Sequence, residues 1–98
     1  MTAPDQELLL ALTIRIPPKG ISAFLAYEAE VLPLLSEYGG TLQRRLRNAD
    51  CTIELHLVRF ATREGLERFR SDPRRQAASP MMIASGAVTE MIEVTEVF

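Results

Sequence analysis

The chain has one cysteine, one histidine, one lysine and no tryptophan. The single thiol, Cys51, excludes an intrachain disulfide and any metal site built from thiolates. No apolar run approaches the roughly 18 residues of a membrane span. The start, Met-Thr-Ala-Pro-Asp-Gln-Glu, places no basic residues ahead of an apolar stretch, so no secretory signal is read there and the cytoplasm is the expected location. No internal repeat and no low-complexity tract is present. Gly39-Gly40 is read as a helix stop, because no glycine-rich spacing follows that would cradle a phosphate.

Charge of one sign is also missing. Eleven cations against 13 carboxylates leave a net charge of −2, which argues against a protein built to neutralise nucleic-acid phosphates. Ten of the cations are arginine, and seven of these fall in two clusters: Arg44, Arg45 and Arg47, then Arg68, Arg70, Arg74 and Arg75. Short basic patches of this kind are usually solvated or paired with carboxylates, and no nucleic-acid or membrane partner is expected.

Ninety-eight residues that are 47% hydrophobic and 24% charged make one globular domain. We read residues 7–98 as that domain and 1–6 as a flexible tail. A chain of this size buries only about 60–65% of the surface its unfolded form exposes, so dimerisation would help it.

The near-continuous apolar run from Glu7 to Ile16, ended by Pro17-Pro18, predicts a central strand. Ser22 is a candidate N-cap for a helix carrying Phe24, Leu25, Val31, Leu32 and Leu35 at helical spacing, with a kink at Pro33 and a stop at Gly39-Gly40. Thr41 to Arg47 and Thr52 to Phe60 predict two strands joined by a turn at Asn48-Ala49-Asp50. Thr62 caps a second helix, with Glu64 in its first turn. Asp72-Pro73 repeats the start signal, so that helix is expected to break, restart and trail through Ser79-Pro80-Met81-Met82 as a short turn or helix. Val88 to Val97 predicts the last strand. The order β-α-β-β-α-β gives an α+β, ferredoxin-like fold: a four-stranded antiparallel sheet with two helices on one face.

Certain residues in this frame carry a family resemblance. Tyr27, Val31, Pro33, Tyr38-Gly39-Gly40, Leu42 and Arg44, followed by Phe60, Leu66, Phe69, Asp72-Pro73 and Arg75, resemble the dimeric α/β barrel superfamily over residues 8–97. More narrowly, they resemble a small bacterial branch of it whose function is unknown. The resemblance implies the ferredoxin-like fold paired as a dimeric α/β barrel. It does not imply one activity, because the superfamily includes cofactor-free quinone-forming monooxygenases, muconolactone isomerases, haem-degrading and haem-binding proteins, and ligand-sensing modules. The Asn, Trp and His set of the monooxygenase members has no match here, which counts against that activity.

Alternation along the strands predicts two faces. Leu8, Leu10, Leu12, Ile14 and Ile16, with Ile53, Leu55 and Leu57, and with Leu42, Arg44 and Leu46, are placed under the helices. Leu9, Ala11, Thr13, Arg15, Gln43, Arg45, Glu54, His56, Val58 and Phe60 are placed on the open face. That face is too apolar for solvent and too polar for a core, so it is expected to meet a second copy of the chain, giving a homodimer through the open sheet face.

Glu28 lies in the middle of the apolar arc of the first helix. A carboxylate aimed at a sheet needs a partner, solvent or a proton. Arg44 is the expected neighbour, forming either a buried ion pair or a pocket in which Glu28 acts as base and Arg44 binds an anionic group. His56 has the pKa for acid–base work near neutrality, and a structural role is the plainer alternative. Glu54 and His56 share one strand face but supply only two ligands per chain, so no metal is expected. Tyr27 and Tyr38 flank the apolar arc as packing groups or as hydroxyls at a pocket edge. Asp72-Pro73-Arg74-Arg75 is read as a cap and solvated turn, with anion binding as the alternative.

Three functions follow. The first is a cofactor-independent enzyme of isomerase, lyase or monooxygenase type, with Glu28 and His56 as catalytic residues and Arg44, Tyr27 and Tyr38 binding a small organic molecule. The others are a non-catalytic small-ligand-binding protein and a purely structural dimerisation module. No cofactor is expected.

Overall fold

The computed structural model describes residues 7–98; the tail expected over residues 1–6 lies outside the described residues. Strand β1 (Leu8–Arg15) leads through a 3₁₀ turn at Pro18–Gly20 into helix α1 (Ile21–Val31). A second 3₁₀ segment, Leu32–Tyr38, follows without a break. Strands β2 (Gly40–Arg47) and β3 (Ile53–Phe60) form a hairpin. Helices α2 (Arg63–Arg70) and α3 (Pro73–Ser85) precede strand β4 (Val88–Val94). The strand order is β2-β3-β1-β4 and every pairing is antiparallel. The fold is ferredoxin-like, as expected, with β1 and β3 central. Among the described residues, no helix is long and apolar enough to cross a membrane.

The caps explain most of the boundaries. Thr62 Oγ1 accepts from the Gly65 N–H at 3.0 Å, and Asp72 Oδ1 accepts from the Arg74 N–H at 2.7 Å, so α2 and α3 each begin on a side-chain acceptor. Gly39 adopts φ 73°, and its N–H reaches the Leu35 carbonyl, a left-handed stop that glycine takes without strain.

Four expectations are corrected. Helix α1 starts at Ile21 with Gly20 as its N-cap, so Ser22 lies inside the first turn. Gly20 is required there because a Cβ would sit 1.8 Å from the Ser85 carbonyl oxygen. The kink expected at Pro33 is instead a change of helix type from α to 3₁₀, which lets the chain continue past a residue with no N–H to donate. The break and restart expected at Asp72-Pro73 separates α2 from α3, but α3 does not trail off as a short turn: it runs 13 residues through Pro80. Strand β4 stops at Val94, short of Val97.

The largest correction concerns which side chains face the helices. In β1 the expectation holds: Leu8, Leu10 and Ile14 are buried under them. Pairing sets Leu8 opposite Phe60, Leu10 opposite Val58, Leu12 opposite His56 and Ile14 opposite Glu54. Cross-strand partners point to the same face, so it is Glu54, His56, Val58 and Phe60 that face the helices. Ile53, Leu55 and Leu57 face the open side. In β2 the register slips between Leu42 and Arg44. Gln43 is the extra residue, and a bulge of this kind reverses the alternation beyond it. Leu42 stays on the helix side, Arg45 and Arg47 turn in to join it, and Arg44 and Leu46 turn out.

Candidate functional site

Between the sheet and the helices lies a cavity of about 320 Å³. Its walls come from β1, β3, β4, α1, the second 3₁₀ segment, α2 and α3, and are mostly apolar: Leu10, Val58, Phe60 and Leu66 among the buried ones. The polar lining is small in number, namely Tyr27, Glu28, His56, Arg70, Arg75 and Thr89. Arg70 and Met91 are exposed and stand at the rim, with Arg70 Nη2 3.9 Å from Met91 Sδ.

His56 is anchored from behind. Its Nε2 is 2.8 Å from Glu54 Oε1, and both side chains are almost wholly buried. Glu54 also accepts from Arg45 Nε at 2.8 Å on Oε1 and from Arg47 Nε at 2.7 Å on Oε2. Burial by itself would raise the Glu54 pKa, but the hydrogen bonds from Arg45, His56 and Arg47 outweigh it and hold the group at about 2. Glu54 is therefore a carboxylate near neutrality and can only accept. Nε2 of His56 must carry the proton, which leaves the lone pair on Nδ1. Burial, the dominant effect, lowers the His56 pKa, so the ring is neutral at pH 7. Among the described residues the only enclosed side-chain nitrogen or oxygen without a partner is Arg75 Nε. Nδ1 of His56, which also has no partner, is therefore open to the cavity.

Glu28 is buried on α1 and lines the same cavity. No ion pair of the described residues includes it. Burial pushes its pKa up to about 7, partly offset by the positive charge of Arg45 and reinforced by Glu54. Tyr27 lines the cavity beside it, and burial raises its hydroxyl pKa as well.

The structure thus brings Glu28, His56 and Tyr27 together and leaves out the other two predicted residues. Arg44 is paired in register with Leu57, on the face turned away from the cavity, so the Glu28–Arg44 pair does not form. The cause is the Gln43 bulge, which exchanges Arg44 for Arg45. Tyr38 is hydrogen-bonded to Asp72, packs against Phe69 and is absent from the cavity lining. Two functional candidates, Glu54 and Arg45, have no site role in the sequence reading beyond Glu54 as an insufficient metal ligand and Arg45 as part of a basic patch. Arg75 has one, through the anion-binding alternative for Asp72-Pro73-Arg74-Arg75. The signal for the first two was the hairpin itself: strands joined at Asn48–Thr52 bring arginines of one strand opposite the Glu-x-His of the next. Among the described residues, no group of three or more His, Cys, Asp and Glu side chains could hold a metal ion.

No protein-family model matches the chain, and no curated protein matches it. Solved structures do. SnoaB from Streptomyces nogalater, a cofactor-independent oxygenase, superposes with a TM-score of 0.73 at 14% identity, covering 93% of each chain. A Bacteroides thetaiotaomicron protein provisionally named as an antibiotic biosynthesis monooxygenase gives 0.79 at 13% identity, covering 95% of this chain and 91% of its own. A nipsnap family protein of unknown function from Agrobacterium tumefaciens gives 0.68 at 16%, covering 98% and 95%. The chain has their ferredoxin-like α+β fold. That fold agrees with the resemblance to the dimeric α/β barrel superfamily. At these identities the likeness is one of fold, and chemistry has to be argued from the site.

Proposed function

We propose that the protein is an enzyme that removes a proton from a small organic molecule bound in this cavity, without a cofactor. The observation that carries this reading is the buried His56–Glu54 pair, whose free Nδ1 opens onto an apolar cavity. His56 is the general base: Nδ1 takes the proton, and the imidazolium that forms lies 2.8 Å from an ionised Glu54. Arg45 and Arg47 keep Glu54 ionised, so the positive charge forms beside a fixed negative one. Glu28, with a pKa of about 7, is partly protonated near neutrality and suits the complementary task of returning a proton elsewhere on the molecule. Burial raises the Glu28 pKa and lowers that of His56, which favours a protonated acid and a neutral base in one site. Cofactor-independent reactions of isomerase, lyase or monooxygenase type can each open with such an abstraction. SnoaB supports the cofactor-free part of the reading, since its fold carries an oxygenase that needs none.

We also infer a homodimer through the open sheet face. Leu46, Leu55, Val88 and Ile92 are exposed on it together, with Ala11 and Leu57 between them. A patch of this kind on a small chain is usually covered.

The test is deuterium exchange from D₂O into a panel of enolisable ketones and phenols, followed by NMR for the wild type and for His56→Asn. Wild-type exchange that His56→Asn abolishes supports the enzyme. Equal exchange by both proteins removes His56 as base. Binding of panel members without exchange would leave the cavity as a ligand-binding site only.

A further inference from the structure

Arg45, Arg47, Arg59, Arg63 and Arg74 each have a carboxylate partner among the described residues. Arg70 and Arg75 have none, yet both line the cavity. Nε of Arg75 is enclosed with no hydrogen-bond partner, so this guanidinium is left short of an acceptor. The guanidinium is held in place: it lies 5.3 Å above the Phe69 ring, and Nη1 donates to the Arg70 carbonyl at 3.4 Å. That engagement leaves Nη2, which has no partner and is not enclosed, as the donor an acceptor in the cavity can reach. Its neighbour Arg74 is unavailable, being paired with Asp72 and Glu37.

Resting on the reading of this cavity as a substrate site, we propose that the molecule it takes is a small monocarboxylic acid. Its carboxylate is held by Arg75 with Arg70 at the rim, and its apolar body lies along Leu10, Val58 and Phe60 toward His56. Two guanidiniums face one carboxylate, Glu28, in the lining, so the cavity carries excess positive charge whether or not Glu28 is ionised. Of the anions that would offset it, a carboxylate has less charge to desolvate among apolar walls than a phosphate dianion. The anion-binding role assigned to Arg44 from the sequence thus falls to an arginine on α3.

Calorimetric titration with 2-naphthoate and with its neutral isostere 2-naphthamide tests this on the wild type, Arg75→Gln, Arg70→Gln and, as a control outside the cavity, Arg68→Gln. The acid is expected to bind the wild type and Arg68→Gln at least about ten-fold more tightly than the amide, as a charge-assisted hydrogen bond implies. Arg75→Gln is expected to erase the difference and Arg70→Gln to reduce it. Should Arg75→Gln fail to fold, Arg75→Lys keeps the charge without the planar guanidinium held over Phe69 and is expected to weaken the acid alone. Equal binding of acid and amide to the wild type overturns the acid and leaves the cavity. A preference left undiminished by Arg75→Gln overturns the role of Arg75, and one left undiminished by Arg70→Gln overturns that of Arg70. Binding of neither compound overturns both the acid and the substrate cavity.

Discussion

Two buried carboxylates of this chain are driven in opposite directions. Glu54 has three hydrogen-bond donors and a pKa of about 2; Glu28 has no ion-pair partner among the described residues and a pKa of about 7. Burial raises the pKa of both, so donors decide the sign. For Glu28 the folded pKa lies above the ordinary value of 4.5, so the folded state holds the proton more tightly than the unfolded chain. Stability therefore falls as pH rises from 4.5 through 7, and the ionised side chain is a burden above that. Glu28→Gln is expected to stabilise the protein by roughly 2–3 kcal/mol at pH 8 and to change little at pH 4.5. His56 works against this in the wild type, because its lowered pKa costs stability as pH falls through 6.5. Urea unfolding of the wild type and variant together at both pH values isolates the Glu28 contribution. A variant destabilised at pH 8 would show that Glu28 has a cationic partner after all. For Glu54 the sign is reversed. Its folded pKa is depressed, so the stability it contributes is present above 4.5 and is lost as pH falls toward 2. Glu54→Gln leaves Arg45 and Arg47 unpaired and is expected to cost about 3 kcal/mol at pH 7, the low end for a buried pair because both guanidiniums are about one-third exposed. Loss of less than about 1 kcal/mol in the same urea experiment, the scale of a surface pair, would mean the cluster is solvated.

Elements are held in position by close backbone approaches that leave room for no side chain. Gly65, in the first turn of α2, would place a Cβ 2.3 Å from the Tyr38 carbonyl oxygen. In an unencumbered helix, Ala for Gly stabilises by about 1 kcal/mol. Here Gly65→Ala is expected to destabilise by about 1–3 kcal/mol, the range for overpacking, and a raised melting temperature would show that the contact between α2 and the 3₁₀ segment can relax. Such contacts are invisible in a sequence, where Gly65 is simply a weak helix former. Caps were legible because their signal is local: Thr62 and Asp72 each find their donor within three residues. Strand β1 was legible because both of its faces are apolar. The facing of β3 was not, because either alternate set is half apolar, and the more apolar one, Ile53-Leu55-Leu57, was assigned to the core. What reverses the choice is the bulge at Gln43 in the neighbouring strand, which carries Arg45 and Arg47 inward and makes Glu54 acceptable under the helices. A one-residue slip in β2 thus decided where the candidate base would be found, and no periodicity within β3 contains that information.

At the scale of the whole molecule, the same slip has a second consequence. With Glu54 and His56 turned inward, the apolar set of β3 is turned outward, and the open face carries Leu55 at 43% and Leu46 at 46% exposure. These two residues are paired in register, and on the far side of the sheet Ile92 is paired with Ala11. The face expected to be mixed is therefore more apolar than the sequence suggested, while charge gathers at its margin, where Arg59 meets Glu7 and Glu96. An apolar centre with a charged border is the composition of an interface core and rim, which fits the homodimer inferred above. Leu55→Arg places a charge at the middle of this face without touching the cavity. Sedimentation equilibrium is expected to find the wild type as a dimer and Leu55→Arg as a folded monomer that still binds 2-naphthoate if the cavity is complete within one chain. A monomeric wild type would remove the dimer. A monomeric variant that has lost naphthoate binding but keeps its circular dichroism would mean that the second copy helps to hold β3, and with it His56, in place.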